Sequence, residues 1–342
     1  MKAAAITGPG MIDVTDLPDP RAGGDVVVVK ILVAPLCTEF KQRRDGRPGD
    51  RLGHEAAGVV VDPGSSTAVA VGDRVVVMPQ YACGRCWLCS RGEHIHCPNQ
   101  RDVLAETGSV AGVGTIAQYV LKPDYLLIKV PDDIPLDHAA MACCGFGPTF
   151  TAHLRLGTSV LDTTVVSGCG AVGLGAVLQG ATRGSRVVAL DTQPYRTELA
   201  RKLGAVEVLD PLKVDVAAAV EDLTEGRGAD GGIETSGAPG AAAALAGSIR
   251  VRGGLALVAW TSEVTFTTPI PAGLDIYSCW HWNHAVNLAG MWSMIRAAAA
   301  RIDMMITHRL PLDAVGVAMD LQDRGECGKV ILYPFGAEEV GY

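Results

Sequence analysis

Cys83, Cys86, Cys89 and Cys97 stand in one short run, with two, two and seven residues between them. Four thiolates converging from a single loop are a soft, tetrahedral donor set that favours zinc or iron. Roughly seventy residues further on lies Ser167-Gly168-Cys169-Gly170-Ala171-Val172-Gly173, a match to G-x-G-x-x-G. The first glycine of such a turn permits a tight bend. The second lets backbone approach a pyrophosphate, and the third permits close helix–strand contact. The Ala171 and Val172 amides fall where a helix N-terminus offers free N–H groups to phosphate charge. Asp191 follows Gly173 by eighteen residues, where a carboxylate hydrogen-bonds the adenosine ribose and repels a 2′-phosphate. The reading is NAD over NADP, with Arg196 as the side chain that bears against it.

These motifs need elements to carry them. Thr163 to Ser167 reads as a short apolar strand entering the glycine turn, with a helix from the turn to about Thr182. Arg186 to Leu190 is a strand leading to Asp191, and Pro194 to Leu203 a helix with proline in its first turn. Val206 to Leu209, Asp230 to Glu234 and Leu255 to Ala259 are further strands. Val214 to Thr224 and Gly240 to Arg250 read as the helices between them. Strand and helix alternating at this pace predict a doubly wound parallel sheet. The first part has a different texture. Val26 to Val33, Ala56 to Val61, Asp73 to Met78 and Ile116 to Leu121 are β-rich runs separated by turn clusters, which predicts a small antiparallel, barrel-like domain. Ala285 to Ala300 and Leu312 to Arg324 read as helices and Lys329 to Tyr333 as a strand of a returning tail.

The chain has 342 residues, 48% hydrophobic and 19% charged, with 41 glycines and a formal charge of −8. That length suits two domains. The acidic balance and the lack of a basic cluster argue against nucleic acid as a partner. Every long apolar stretch is broken by glycine or charge, which argues against a membrane span. Met1 to Ile6 runs directly into a strand with no leader-like segment. Ten cysteines in such a chain are expected to be reduced and partly metal-bound, in a cytoplasmic setting.

With the cysteine run, Gly53-His54-Glu55, Gly72-Asp73-Arg74-Val75, the nucleotide turn and Gly328-Lys329-Val330 in place, the chain resembles the zinc-containing medium-chain alcohol dehydrogenases over nearly its whole length. The resemblance implies an α/β protein of two parts. A GroES-like catalytic domain with a structural zinc lobe would span 1–152, a Rossmann NAD-binding domain 153–290, and a return to the catalytic domain 291–342. It implies two zincs per subunit. Cys83, Cys86, Cys89 and Cys97 would hold the structural one. Cys37, His54 and a cysteine just before the Rossmann domain would hold the catalytic one, with an open fourth position. Cys143 and Cys144 compete for that third place. Cys144 is the choice, because it precedes Ala152 by the eight residues seen in relatives. Glu55 would stand beside the metal. His94 and His96, inside a lobe whose shell four cysteines complete, read as solvated loop residues. Cys169, Cys279 and Cys327 read as packing residues.

The implied chemistry is oxidation of an alcohol, with hydride passing to NAD. Two positions depart from the family pattern. Glu39 occupies the place of the serine or threonine that begins the proton relay, with Thr38 one residue earlier as fallback, and Pro148 replaces a common threonine. Glu39 is read as a base or as a hydrogen-bond partner of a substrate hydroxyl, which suits a sugar alcohol or cyclitol. Trp280, His281, Trp282, His284 and Trp292, with Trp87, are read chiefly as core or interface and secondarily as a ring-stacking surface. The expected partner is a small alcohol or carbonyl compound, with self-association to a homodimer or homotetramer. The competing readings are an NADPH-dependent carbonyl reductase and a nonenzymatic NAD-binding sensor.

Overall fold

The computed structural model describes residues 1–260, 264–266 and 272–341. The chain divides into two compact units. The first comprises Met1–Cys144, Asn283–Ile295 and Ile306–Tyr342; the second comprises Gly145–Trp282 and Arg296–Met305. The expected boundaries after residues 152 and 290 therefore lie a few residues late. The physical reason at the second is a continuous helix, His284–Met305, whose two halves pack with different units.

The first unit is built on a seven-stranded sheet. Its central strand, Val26–Pro35, is buried at every position but Lys30. Ala56–Asp62 and Tyr119–Pro123 pair with it antiparallel, and Arg74–Val77 and Leu127–Lys129 extend the sheet. On the other side Lys329–Tyr333 joins Val26–Pro35 antiparallel and takes Ile306–Pro311 as a parallel neighbour. The C-terminal residues thus complete the sheet that the N-terminal residues begin. Val29, Ile31, Val75, Val120, Val330 and others form one apolar core, which is what a run of β-branched residues buys when neighbouring strands cover both its faces.

The second unit is a six-stranded parallel sheet. Numbered along the chain, its strands are Thr163–Ser167, Arg186–Leu190, Glu207–Leu209, Ala229–Glu234, Ile249–Leu257 and Asp275–Ser278. They lie in the spatial order 3-2-1-4-5-6, the order of a dinucleotide-binding sheet. Thr163–Ser167 is fully buried, as a strand covered by helices on both faces must be.

Several strands lack a sequence signal. Met11–Asp16 alternates partly buried and exposed residues in a two-stranded sheet with Lys2–Gly8. Asp275–Ser278 and Ile306–Pro311 are polar, half-exposed strands at sheet edges, where apolar periodicity is weakest. The strand expected over Ile116 to Leu121 is shifted to Tyr119–Pro123, because its pairing runs on through Lys122 and Pro123 to Val26. Among the described residues no helix is long and apolar enough to cross a membrane.

Candidate functional site

The cysteine run folds as a loop of the first unit. Sulfur–sulfur separations are 3.5 Å for Cys86–Cys89, 3.6 Å for Cys83–Cys97, 3.7 Å for Cys86–Cys97 and 4.0 Å for Cys83–Cys89. A tetrahedron with metal–sulfur arms of about 2.3 Å has edges of about 3.8 Å, so the four sulfurs already stand at the corners zinc requires. All ten cysteines are free thiols. The Arg85 backbone N–H, working against burial, holds the Cys83 thiol at about 6, and the Cys89 backbone N–H lowers Cys86 likewise. The loop is pinned from outside itself. The Tyr125 hydroxyl donates to the Ala82 carbonyl (2.5 Å), and the Asn283 amide donates to the Arg91 carbonyl (2.7 Å). His94 departs from the expectation of a solvated residue: it is buried and stacked on His284, with ring centroids 4.9 Å apart. His96 is exposed.

A second group assembles Cys37, His54, Glu55 and Cys144, whose donor atoms all lie within 4.8 Å of one another. Cys37 follows the central strand, His54 and Glu55 immediately precede Ala56–Asp62, and Cys144 ends the first unit. The neighbouring Cys143 is buried and turned away, its sulfur 3.4 Å from the Val77 carbonyl oxygen. Gly53 must be glycine here. Its φ is +85°, and a Cβ would meet Thr115 Oγ1 at 2.6 Å and the Ile116 backbone nitrogen at 2.7 Å.

Glu39 has a different place from the one its sequence position suggests. It is buried in the first turn of the short helix Glu39–Arg44, with both oxygens engaged. Oε1 lies 2.9 Å from His54 Nδ1, and Oε2 accepts from the Cys37 backbone N–H at 2.9 Å. A carboxylate on Nδ1 orients the imidazole so that Nε2, 3.2 Å from the Cys144 sulfur, points into the cluster. Burial alone would raise the Glu39 carboxyl and lower the His54 imidazole. Their mutual attraction outweighs it, holding Glu39 at about 2 and His54 well above its ordinary value. Glu39 is thus a positioning residue for two prospective ligands, buried and turned onto them. Thr38 is exposed and caps no backbone amide.

Glu55 is fully buried. Its Oε1 accepts from Lys329 Nζ at 2.7 Å, across a pair that solvent does not reach on either side, while its Oε2 is buried with no hydrogen-bond partner. Burial pushes this carboxyl up to about 7 against the pull of Lys329. The Cys37 thiol is held well below its usual range, first by its hydrogen bond with Cys144 and then by His54. One nitrogen, two sulfurs and an orphaned carboxylate oxygen in one partly buried knot form a donor set that fits zinc, with three neutral-or-anionic protein ligands and a carboxylate in reserve. Lys329, quoted in the sequence only as part of a recurring ending, is the residue whose role was missed.

The second unit carries the nucleotide turn. Gly168 has φ +88°, and Gly173 admits no side chain, since a Cβ there would lie 1.8 Å from the Gly168 carbonyl oxygen. Nothing lies within 4 Å of a Cβ at Gly170, which leaves that face open to a pyrophosphate. Gly170 caps the helix Ala171–Thr182, so the Ala171 and Val172 amides lie in its first turn. Asp191 follows the strand Arg186–Leu190 and accepts from the Cys169 backbone N–H at 2.6 Å and from the Gln193 N–H at 2.8 Å. Those bonds lock the carboxylate to the turn. Arg196 is half-buried on the following helix. Pro148 begins the helix Gly147–Leu156. The tryptophans do not form one surface: Trp282 and Trp292 are buried, the exposed Trp280 and Trp260 stand edge-on to each other, and Trp87 is exposed beside Arg91.

Comparison with known proteins gives the family and the fold. The model of the alcohol dehydrogenase GroES-like domain matches residues 23–132, and that of the zinc-binding dehydrogenases matches residues 171–299. The chain is 29% identical over 350 residues to the sorbitol dehydrogenase of Bacillus subtilis, covering 98% of this chain and 97% of that protein. It is 30% identical over 340 residues to an L-threonine 3-dehydrogenase of Caldanaerobacter subterraneus, covering 92% and 93%. The crystal structure of an NAD-dependent alcohol dehydrogenase superposes with a TM-score of 0.80 at 26% identity, covering 97% of this chain and 99% of that one.

Two predictions follow from the two donor sets and their support. Metal analysis should find two zincs per chain, and Cys144→Ser and Cys89→Ser should each leave one; retention of both in either variant would unseat that cysteine as a ligand. Glu39→Gln should weaken zinc retention at the Cys37 cluster about 10–100-fold in a chelator competition, with the cysteine loop keeping its metal. Equal retention by variant and parent would remove the positioning role.

Proposed function

We infer that this chain, which belongs to the zinc-type medium-chain dehydrogenase family, is a zinc-dependent oxidoreductase that moves hydride between an alcohol and NAD. The observation that carries the reading is the Cys37, His54 and Cys144 cluster, with Glu39 aiming His54 and the orphaned Glu55 oxygen beside it. A closed four-cysteine site elsewhere suffices for structure, so a second, mixed-ligand site with only three firm donors is the kind that chemistry uses.

When bound, zinc polarises the alcohol oxygen and NAD accepts the hydride: the C–H and O–H bonds break, a C=O bond forms, and the proton leaves to solvent. The chain's own residues prepare that step. Cys37, His54 and Cys144 hold the metal. Glu39 fixes the imidazole and the Cys37 backbone. Lys329 balances the charge on Glu55 and restrains it, leaving one oxygen to face the cluster. Gly168, Gly170 and Gly173 with the Ala171 and Val172 amides receive the pyrophosphate, and Asp191 receives the adenosine ribose hydroxyls and disfavours a 2′-phosphate.

The substrate is an alcohol or polyol. The sorbitol dehydrogenase likeness supports the sugar-alcohol branch; Glu39 does not, since it is buried and turned onto Cys37 and His54. We further propose a homodimer or homotetramer working in the cytoplasm, supported by the general symmetry of soluble enzymes and by the free, reduced cysteines a metal site needs.

Reduction of NAD, followed at 340 nm over simple alcohols, sugar alcohols, amino sugars and cyclitols, should show turnover that Cys144→Ser abolishes. NAD binding without turnover on any of them would point to a sensor instead. Asp191→Gly should raise the KM for NAD about tenfold or more and narrow the preference over NADP. A KM unchanged by that variant would take the ribose contact away from Asp191.

A further inference from the structure

A cavity of about 480 Å³ lies within the first unit and opens beside His54, a size that suits a small ligand. Its charged lining is Arg51, Arg101, Asp102 and Lys122. Two of these four are already committed. Arg101 is clasped by Asp25 and Glu106, and Asp102 caps the helix Val103–Thr107 by accepting from the Ala105 N–H. The other two have no carboxylate partner among the described residues. Arg51 is exposed, and no hydrogen bond or ion pair engages its guanidinium among the described residues.

Lys122 is the more telling. It sits on the strand Tyr119–Pro123 between Leu121 and Pro123, all buried, and is itself 1% exposed. Its Nζ donates to the Gln80 carbonyl at 3.1 Å and stands 3.5 Å from the centre of the Tyr81 ring. No carboxylate faces it in an ion pair among the described residues. A buried ammonium without a counter-charge costs several kcal/mol, and burial pulls this one down to about 7. Leucine or valine would fill the same strand position without that cost. Thr115 also lines the cavity, with its Oγ1 buried beneath the lining and without a hydrogen-bond partner. Two basic side chains without a carboxylate partner therefore line one cavity with His54, a prospective metal ligand.

We propose that this cavity binds the anionic end of the substrate, with Lys122 and Arg51 as its two cationic contacts. The alcohol oxidised is then one that bears a carboxylate or a phosphate. The proposal rests on the alcohol-oxidation reading of the same site and narrows it to a class. A polyol carrying an acid group satisfies both.

The test uses the zinc-loaded full chain and pairs of alcohols that share a skeleton: 1,3-butanediol against 3-hydroxybutyrate, and glycerol against glycerol 3-phosphate. The expected result is a kcat/KM at least tenfold higher for the charged member of one pair, which also tells carboxylate from phosphate. Lys122→Met and Arg51→Gln should each reduce that charged-to-neutral ratio at least fivefold, chiefly through KM. Calorimetry with butyrate and with inorganic phosphate gives a readout independent of turnover. The favoured anion should bind the parent and lose at least fivefold in affinity in both variants, whereas an anion held by zinc alone would bind all three proteins alike. Arg51 is exposed, so its variant reads the cavity even should Lys122→Met fail to fold. A preference for the neutral alcohol in both pairs, or a ratio and affinity unmoved by Arg51→Gln, overturns the proposal. Absence of turnover on every alcohol, with anion binding still lost in the variants, would instead sink the dehydrogenase reading and leave the anion site standing.

Discussion

The first unit turns on one carboxylate. Glu39 reaches the backbone of Cys37 with one oxygen and the imidazole of His54 with the other, so a single buried side chain sets two prospective ligands that come from different parts of the sheet. Such an anion is tolerable only because both its oxygens are satisfied; truncating it would leave the imidazole free to rotate and the Cys37 amide without its acceptor. Glu55 and Lys329 repeat the device on the other side. There the strand Lys329–Tyr333, from the far end of the chain, supplies the counter-charge. The C-terminal residues are therefore part of the site's electrostatics as well as of its sheet.

The helix–strand alternation of the second unit is plain in the amino-acid order because its central strands, such as Thr163–Ser167 and Arg186–Leu190, are buried almost throughout and read as short apolar runs between helices. Thr163–Ser167, Arg186–Leu190 and the helix Pro194–Leu203 occupy the ranges that their residues suggest. The first unit is less transparent. Its edge strands, such as Ile306–Pro311, are mixed in character, and their pairing is decided by partners far away in the chain. Periodicity reports which face of an element is buried, and carries no information on which distant strand will cover it.

The site shows the same division. Thiol spacing and glycine spacing are local properties, and they identify the cysteine loop and the nucleotide turn directly. What Glu39 does is not local. A carboxylate two positions after a cysteine reads as a base near a metal, yet the helix Glu39–Arg44 starts there and folds the side chain back toward Cys37 and His54. The pairing of Glu55 with Lys329 spans 274 residues, and no spacing rule reaches that far. Lys122 did carry a signal, a single charge in the apolar run Tyr-Val-Leu-Lys-Pro. Strand alternation would have assigned it to solvent.

That lysine also bears on why a chain with a formal charge of −8 can favour an anionic ligand. Net charge governs the field at a distance, where salt screens it within about 8–10 Å. Inside a cavity the nearest groups dominate, because water is scarce there and the effective dielectric is low. In the first unit the nearby carboxylates are already committed: Glu39 to His54, Glu55 to Lys329, Asp25 and Glu106 to Arg101. Asp102, the carboxylate among the lining residues, is turned onto the Ala105 N–H, and the lining sets three basic side chains against that one acid. The acidic surface and the cationic pocket are compatible because the same ion pairs that stiffen the first unit also neutralise the anions that would otherwise repel a charged substrate.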